Sequence, residues 1–344
     1  MHRLASICLL AVPVALIARA APAQVRQSST TDGALWVVTD GATSRLNGPA
    51  GEVRLDLPAG ATIDDIEAVR NGWLATGRYP AADGSELLLI AGDPGGSDLL
   101  PIPPRTAGRY RGRAVLAIDR GELVGLIWLE GDGVRELAVR AADRTAGGWG
   151  ESELVSPRGP GSQVAPQVTV LADGSWLLVW AAYDGFDDEI VWSRRESKRW
   201  SAAQRLYPDN DVPDITPKIV ATAGGALAVW SRFDGNDYRL QLARFADAFW
   251  APPTMMGGKG SGDPLLVRYG AGALLLFQTV ETRSWWVIEL DAAGGFERLA
   301  EVAEDTYEKP VLLTDDGRPR LVWPELESAP RPRLEVPLVW RELP

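Results

Sequence analysis

The chain has 344 residues, 46% hydrophobic and 24% charged, with 36 glycines and 25 prolines, the profile of a globular protein rich in turns. Its 46 acidic residues against 35 basic ones give a net charge of −11, which disfavours nucleic acid and other phosphate-rich partners. The single histidine and the single cysteine, His2 and Cys8, both stand at the extreme N-terminus.

That N-terminus reads as a secretory signal. His2-Arg3 is a short basic start, Leu4 to Ile17 an apolar segment, and Ala21-Pro22-Ala23 a small-x-small cleavage site before Gln24. Cys8 follows Ile7 and stands too early to be a lipoprotein acceptor. The apolar segment falls short of the ~20 residues that span a bilayer, so no transmembrane segment is expected after cleavage, and the protein is expected to be periplasmic or secreted. Cleavage removes Arg3 and Arg19, leaving 33 basic against 46 acidic residues, a charge of −13. It also removes the only histidine and cysteine. The mature chain then has no means of Ser-His-Asp or Cys-His catalysis, of histidine base chemistry, or of zinc or copper binding through His or Cys. Without disulfides it must be held by its core alone.

Residues 24–344 read as one domain built of a repeated unit. Tight-turn signals occur at Asp32-Gly33, Asn71-Gly72, Arg120-Gly121, Asp173-Gly174, Gly224-Gly225, Gly270-Ala271-Gly272 and Asp316-Gly317. From glycine to glycine the steps are 39, 49, 53, 51, 47 and 45 residues, in the range of propeller blades. Between the first turns, Ile63 to Val69 has a helical period and Thr62 stands where a cap would, so a short helical connector is expected there.

The clearest unit runs from Pro166 to Trp200. Gln167 to Leu171 alternates, Trp176 to Ala182 is an apolar run of strand length, Glu189 to Ser193 is β-favouring, and Trp200 opens a last strand through Leu206. Pro208, Pro213 and Pro217 then oppose regular ladder bonding. Two aromatic series keep pace with this unit. Trp128, Trp180, Trp230, Phe277 and Trp323 end second strands, while Trp149, Trp200, Trp250 and Phe296 open fourth strands. A blade cannot cover both faces of its own sheet, so these rings are expected to pack blade against blade, with a carbohydrate-stacking platform as the alternative.

The resulting fold class is all-β: a single β-propeller of four-stranded antiparallel blades. Seven blades are expected, near 25–60, 61–105, 106–160, 161–213, 214–262, 263–306 and 307–344. The last looks short of a strand; if Val25 to Thr31 completes it, the count becomes six.

Ser193 and Trp200 keep the spacing of the Ser-x-Asp-x-Gly-x-Thr-Trp turn, and on this pattern the chain resembles the sialidase-like (Asp-box) propellers over roughly Arg113 to Trp323. Arg195 and Ser197 stand where the box has Asp and Gly, and Ala142 to Trp149 and Ala243 to Trp250 keep only the aromatic. The resemblance implies glycoside hydrolysis with a tyrosine nucleophile and an aspartate acid/base, for which Tyr307 and Asp188 are the candidates.

Loops after second and fourth strands share one edge of a propeller. Tyr183 to Glu189 (YDGFDDE), Pro208 to Asp214 (PDNDVPD) and Phe233 to Tyr238 (FDGNDY) therefore place Asp184, Asp187, Asp188, Glu189, Asp209, Asp211, Asp214, Asp234 and Asp237 on one rim. A solvated turn-rich rim would have the same composition. Carboxylates and carbonyls together would suit calcium at Asp209, Asp211 and Asp214, and no other cofactor is implied. Two acids flanking a sugar bond would suit a glycosidase. The expected role is non-catalytic: a monomer binding a protein or carbohydrate of the cell envelope through Asp184, Asp187, Asp188, Asp211, Asp214, Asp234, Asp237 and Tyr238, with a divergent glycoside hydrolase as the alternative.

Overall fold

The computed structural model describes residues 24–28, 35–40, 43–48, 51–93, 95–105, 110–133, 136–156, 161–208, 211–302, 309–314, 318–325 and 333–342. Among them the regular structure is entirely β. Strands β1 (Gln24–Ser28), β2 (Leu35–Asp40), β3 (Thr43–Gly48) and β4 (Gly51–Leu55) form the first sheet, paired in chain order. A nine-stranded sheet follows. It joins β5 (Thr62–Val69), β6 (Gly72–Ala81), β7 (Gly84–Asp93) and β8 (Gly96–Leu99) to β9 (Tyr110–Asp119), β10 (Glu122–Gly131), β11 (Ala138–Thr145), β12 (Gly148–Trp149) and β13 (Glu153–Ser156).

Two five-stranded sheets come next. One holds β14 (Gln163–Val170), β15 (Trp176–Tyr183), β16 (Asp188–Glu196), β17 (Arg199–Trp200) and β18 (Gln204–Arg205). The other holds β19 (Asp214–Thr222), β20 (Gly225–Phe233), β21 (Tyr238–Ala246), β22 (Phe249–Trp250) and β23 (Thr254–Met256). The chain continues through β24 (Ser261–Tyr269), β25 (Gly272–Thr279), β26 (Trp285–Leu290) and β27 (Phe296–Val302), then a three-stranded sheet of β28 (Val311–Leu313), β29 (Arg320–Trp323) and β30 (Leu334–Pro337). Last comes β31 (Arg341–Glu342), which returns to the edge of β27. This is an all-β propeller of mostly antiparallel four-stranded blades.

Seven separate blades are not what the hydrogen bonds form. Among the described residues there are six sheets, of which five have four or more strands. The reason lies at Ser85 and Tyr110, one parallel pair that fuses β7 to β9. Beside it the fully buried Arg111 donates to Glu130 (2.9 Å), Glu86 (3.1 Å) and the Pro103 carbonyl (3.0 Å), tying the two units together. The six-blade alternative fails as well. β1 pairs with β2 from Gln24↔Thr39 to Ser28↔Leu35 and completes no other sheet. The ring is closed by side chains: Gln27 accepts the Leu312 N–H at 2.7 Å and donates to the Leu312 carbonyl, while Trp36 and Val38 pack on Val311, Leu313 and Val322.

The second-strand aromatics pack sheet against sheet. Trp180 sits with Val115, Ile127 and Val139 of the preceding unit, Trp230 with Leu177, Val179 and Ile190, and Phe277 with Leu227, Val229 and Leu240. Trp128, Trp180 and Trp230 are among the largest fully buried side chains, so this series is core and not a stacking platform. These three indole N–H groups each find an acceptor: Trp128 gives to Glu130 (3.1 Å), Trp180 to Gln163 (2.5 Å) and Trp230 to Asp214 (2.9 Å). Where the ring is Phe277, which has no donor, the strand-opening position of Gln163 and Asp214 is taken by Ser261.

Residues 63–69 form a strand, not the expected helical connector. A bulge between Ile63 and Asp65 turns Ile63 and Ile66 to the same buried side, and this three-residue spacing imitates a helix. The same device recurs in later first strands. Register shifts fall between Val164 and Gln167, Ile215 and Lys218, and Gly262 and Leu265, each enclosing a buried proline: Pro166, Pro217 and Pro264. Pro217 thus lies inside β19, where the bulge removes the need for its missing N–H.

Candidate functional site

The rim loops are held by their own acids. Asp184 accepts the backbone N–H groups of Phe186 (2.8 Å) and Asp187 (3.3 Å) and pairs with Arg205 at 2.8 Å. Asp234 repeats this one sheet on, accepting from Asn236 (3.0 Å) and Asp237 (2.9 Å) and pairing with Arg239 at 2.7 Å. Both turns are therefore closed by their own side chains. Arg205 reaches Asp184, and the Pro213 carbonyl accepts the Phe233 N–H at 2.9 Å. Arg232 lies 5.6 Å over the Tyr207 ring, and Phe233 packs on Tyr238 with centroids 5.3 Å apart. The three loops expected to meet form one ridge.

Its acids are not equivalent. Asp214 turns inward, buried, to Trp230 and lies 3.9 Å from Arg232, an anchoring role that the composition of the loop does not reveal. Asp187 and Glu189 are buried, Asp188 and Asp237 half-buried, and Asp211 and Tyr238 exposed. Among the described residues no group of three or more acidic side chains is placed to hold a metal ion. Asp209 and Tyr307 lie outside the described residues. The residue that sequence reasoning passed over is Phe186, 93% exposed at the tip of its loop; its signal was an aromatic between turn-forming acids.

The charges follow from these partners. The hydrogen bond from Arg239, then those from the Asp237 and Asn236 backbones, bring the Asp234 carboxyl down from 3.8 to about 2. The Phe186 N–H leads in lowering Asp184, with the Asp187 N–H and Arg205 adding to it against burial. Asp188 moves the other way, raised by burial and then by the Asp184 charge. A depressed carboxyl contributes stability above its unfolded pKa and loses it as pH falls through the folded value. For Asp234 that window runs from about 4 to about 2. Asp188 contributes with opposite sign, its raised value favouring the fold as pH falls. On acidification through this window the amides of Asn236 and Asp237 are expected to lose exchange protection before the sheets do. Asp234→Ala, which removes the acceptor, should show that exposure already at pH 7; protection retained in this variant would contradict the assignment.

The Ser193–Trp200 turn is not built as an Asp-box. Glu196 pairs with Arg199 across a two-residue turn whose Ser197 and Lys198 have φ of 47° and 63°, a hairpin geometry that needs no box aspartate. In the position of that aspartate, Arg195 lies within β16 and reaches the neighbouring sheet, 2.8 Å from Asp143 and 4.7 Å over the Trp176 ring. The sialidase-like resemblance therefore does not extend to the turn that suggested it.

Comparison with known proteins gives the fold. No protein-family model matches the chain, and no curated protein does. Solved structures match it, a β-propeller among them. The fungal lectin of Aleuria aurantia, a six-bladed β-propeller with fucose recognition, is 11% identical, with a TM-score of 0.52 over 83% of this chain and 96% of the lectin. A protein of unknown function from Dyadobacter fermentans is 12% identical, with a TM-score of 0.51 over 82% of this chain and 95% of that one. A puromycin-hydrolyzing peptidase of Mycobacterium tuberculosis is 15% identical, with a TM-score of 0.54 over 87% of this chain; the match spans 49% of the peptidase. At these identities the likeness is one of architecture. No helix among the described residues is long and apolar enough to cross a membrane.

Proposed function

We propose that the protein is an exported, non-catalytic propeller that binds a carbohydrate of the cell envelope through the ridge formed by residues 183–189, 211–214 and 233–238. The observation that carries this reading is Phe186, 93% exposed on a loop that Asp184 and Arg205 close. An aromatic face in water gains by covering the apolar face of a sugar ring, and a preformed loop reduces the ordering cost of binding. Tyr183 and Tyr238, both partly exposed, extend the aromatic surface, and Asp188, Asp211 and Asp237 supply acceptors for sugar hydroxyls. Sugar recognition by the Aleuria aurantia lectin makes neutral monosaccharides the first ligands to test.

On a glycan array followed by calorimetry, Phe186→Ala and Tyr238→Ala are each expected to weaken binding about tenfold or more, with melting unchanged. Retention of full affinity in both variants would overturn the reading. Capture of an envelope protein with no glycan binding would replace the sugar with a protein ligand on the same ridge.

A second reading, a divergent glycoside hydrolase, is favoured by one feature: Asp188 is half-buried beside the Asp184 charge, and both raise its carboxyl in the direction of a general acid. Turnover of fluorogenic glycosides that is lost in Asp188→Asn or Tyr307→Phe would decide for it. Silence across the panel would decide against it.

A further inference from the structure

The axis of the ring is chemically unlike the rest of the molecule. First strands β1, β5, β9, β14, β19 and β24, together with residues flanking β28, line one cavity of about 1110 Å³. Arg26, Arg113, Lys218 and Arg268 come to it from four different sheets, and Lys309 from the segment before β28. Its carboxylates, Asp64, Asp65 and Glu67, all come from one strand, β5. All three have partners within the protein. Asp64 pairs with Arg78, which is not part of the cavity wall, and Asp65 accepts the Leu116 N–H at 2.9 Å. The wall is therefore cationic in a chain whose net charge is −11.

One of these charges is partly withdrawn from water: the Arg113 Nε is shut off from solvent and has no hydrogen-bond acceptor among the described residues, whereas Arg268 is exposed to the cavity. Burial pushes the Asp65 carboxyl up even with Arg113 and Lys218 near it, which marks the same space as one of low polarity. Fixed charges of one sign facing a confined, low-dielectric space reinforce each other's field. Guanidinium groups match the planar oxygens of carboxylates and phosphates. Arg113 stands near the start of β9 and Arg268 is the penultimate residue of β24, so the positive charge extends along the axis and is not gathered at one mouth.

We propose that the axial cavity binds a small polyanion carrying two or more carboxylate or phosphate groups, held by Arg26, Arg113, Lys218, Arg268 and Lys309. The site is independent of the rim ridge, whose aromatic and acidic surface suits a neutral sugar.

The test is calorimetry and thermal melting of the full chain with sodium citrate and with sodium pyrophosphate, against glucose and against sodium chloride at matched ionic strength. At least one polyanion is expected to bind and raise the melting temperature, with affinity falling several-fold between about 50 and 200 mM salt. Binding of citrate alone assigns the carboxylate class, of pyrophosphate alone the phosphate class, and of both a site that reads charge. Arg113→Gln/Arg268→Gln should weaken binding about tenfold or more, whereas Phe186→Ala should leave it unchanged. If the double variant fails to fold, Arg268→Gln alone, exposed within the cavity, is expected to weaken it about threefold or more. Absence of binding by both polyanions, or unchanged affinity in Arg268→Gln, would overturn the proposal.

Discussion

Arg111→Ala is expected to destabilise the protein by about 3–5 kcal/mol, measured as a shift in the urea midpoint at unchanged slope. The guanidinium is fully buried and holds two carboxylates: Glu130, which also accepts from Trp128 and pairs with Arg140 at 3.2 Å, and Glu86, which pairs with Arg105 at 2.7 Å. Truncation leaves Glu130 desolvated without its main cation, and that uncompensated charge is the source of the loss. Replacing both partners by apolar residues, Arg111→Met/Glu130→Leu, is expected to recover only part of the stability, because the Trp128 N–H then has no acceptor. A loss below about 0.5 kcal/mol in Arg111→Ala would show that the network does not hold the fused nine-stranded sheet together.

Trp230→Ala is expected to cost about 3–5 kcal/mol, the range for emptying a large aromatic site in a packed interior. The subtler variant separates packing from hydrogen bonding. Trp230→Phe keeps most of the volume but leaves the buried Asp214 without its donor, at a cost of about 1–3 kcal/mol. Adding Asp214→Ser should return most of that, because Ser261 with Phe277 is the same arrangement one sheet further on. Urea melts of the two single variants and the double variant complete the cycle. If Asp214→Ser instead leaves stability untouched in the Trp230 background, the carboxylate does not anchor the indole.

Much of the propeller is legible in the residues because its signals are local. Ser197 and Lys198 take up a two-residue turn between strands that the adjoining residues already favour, and Gly174, at φ 80°, closes the Asp173-Gly174 turn. The aromatic series recurs because each sheet must bury the same face. Ile63 and Ile66 misled because a bulge converts alternation into a three-residue step. The fused sheet escaped notice because one parallel pair, Ser85 with Tyr110, leaves no periodicity in the chain.

The rim shows the limit most clearly. Asp184, Asp214 and Asp234 have the same side chain in similar loops. One caps a turn facing Arg205, one anchors a buried indole, and one caps a turn facing Arg239. A carboxylate reads alike whether it satisfies its own backbone or waits for a ligand, and only its partners distinguish the two. The axial cations lie further beyond reach: Arg26 and Lys309 face one cavity only because the ring closes, with Gln27 bonded to Leu312.

The sequence by itself determined the repeat, the strands and most of their turns, since backbone φ preferences and alternating burial act over a few residues. The tertiary structure alone decided how the sheets join, which acids are spent on the fold, and that the basic residues of an acidic chain gather at its axis. The joining of the sheets, the anchoring of Asp214 and the gathering at the axis depend on contacts between residues 16 to 285 positions apart, whose energies no local pattern encodes.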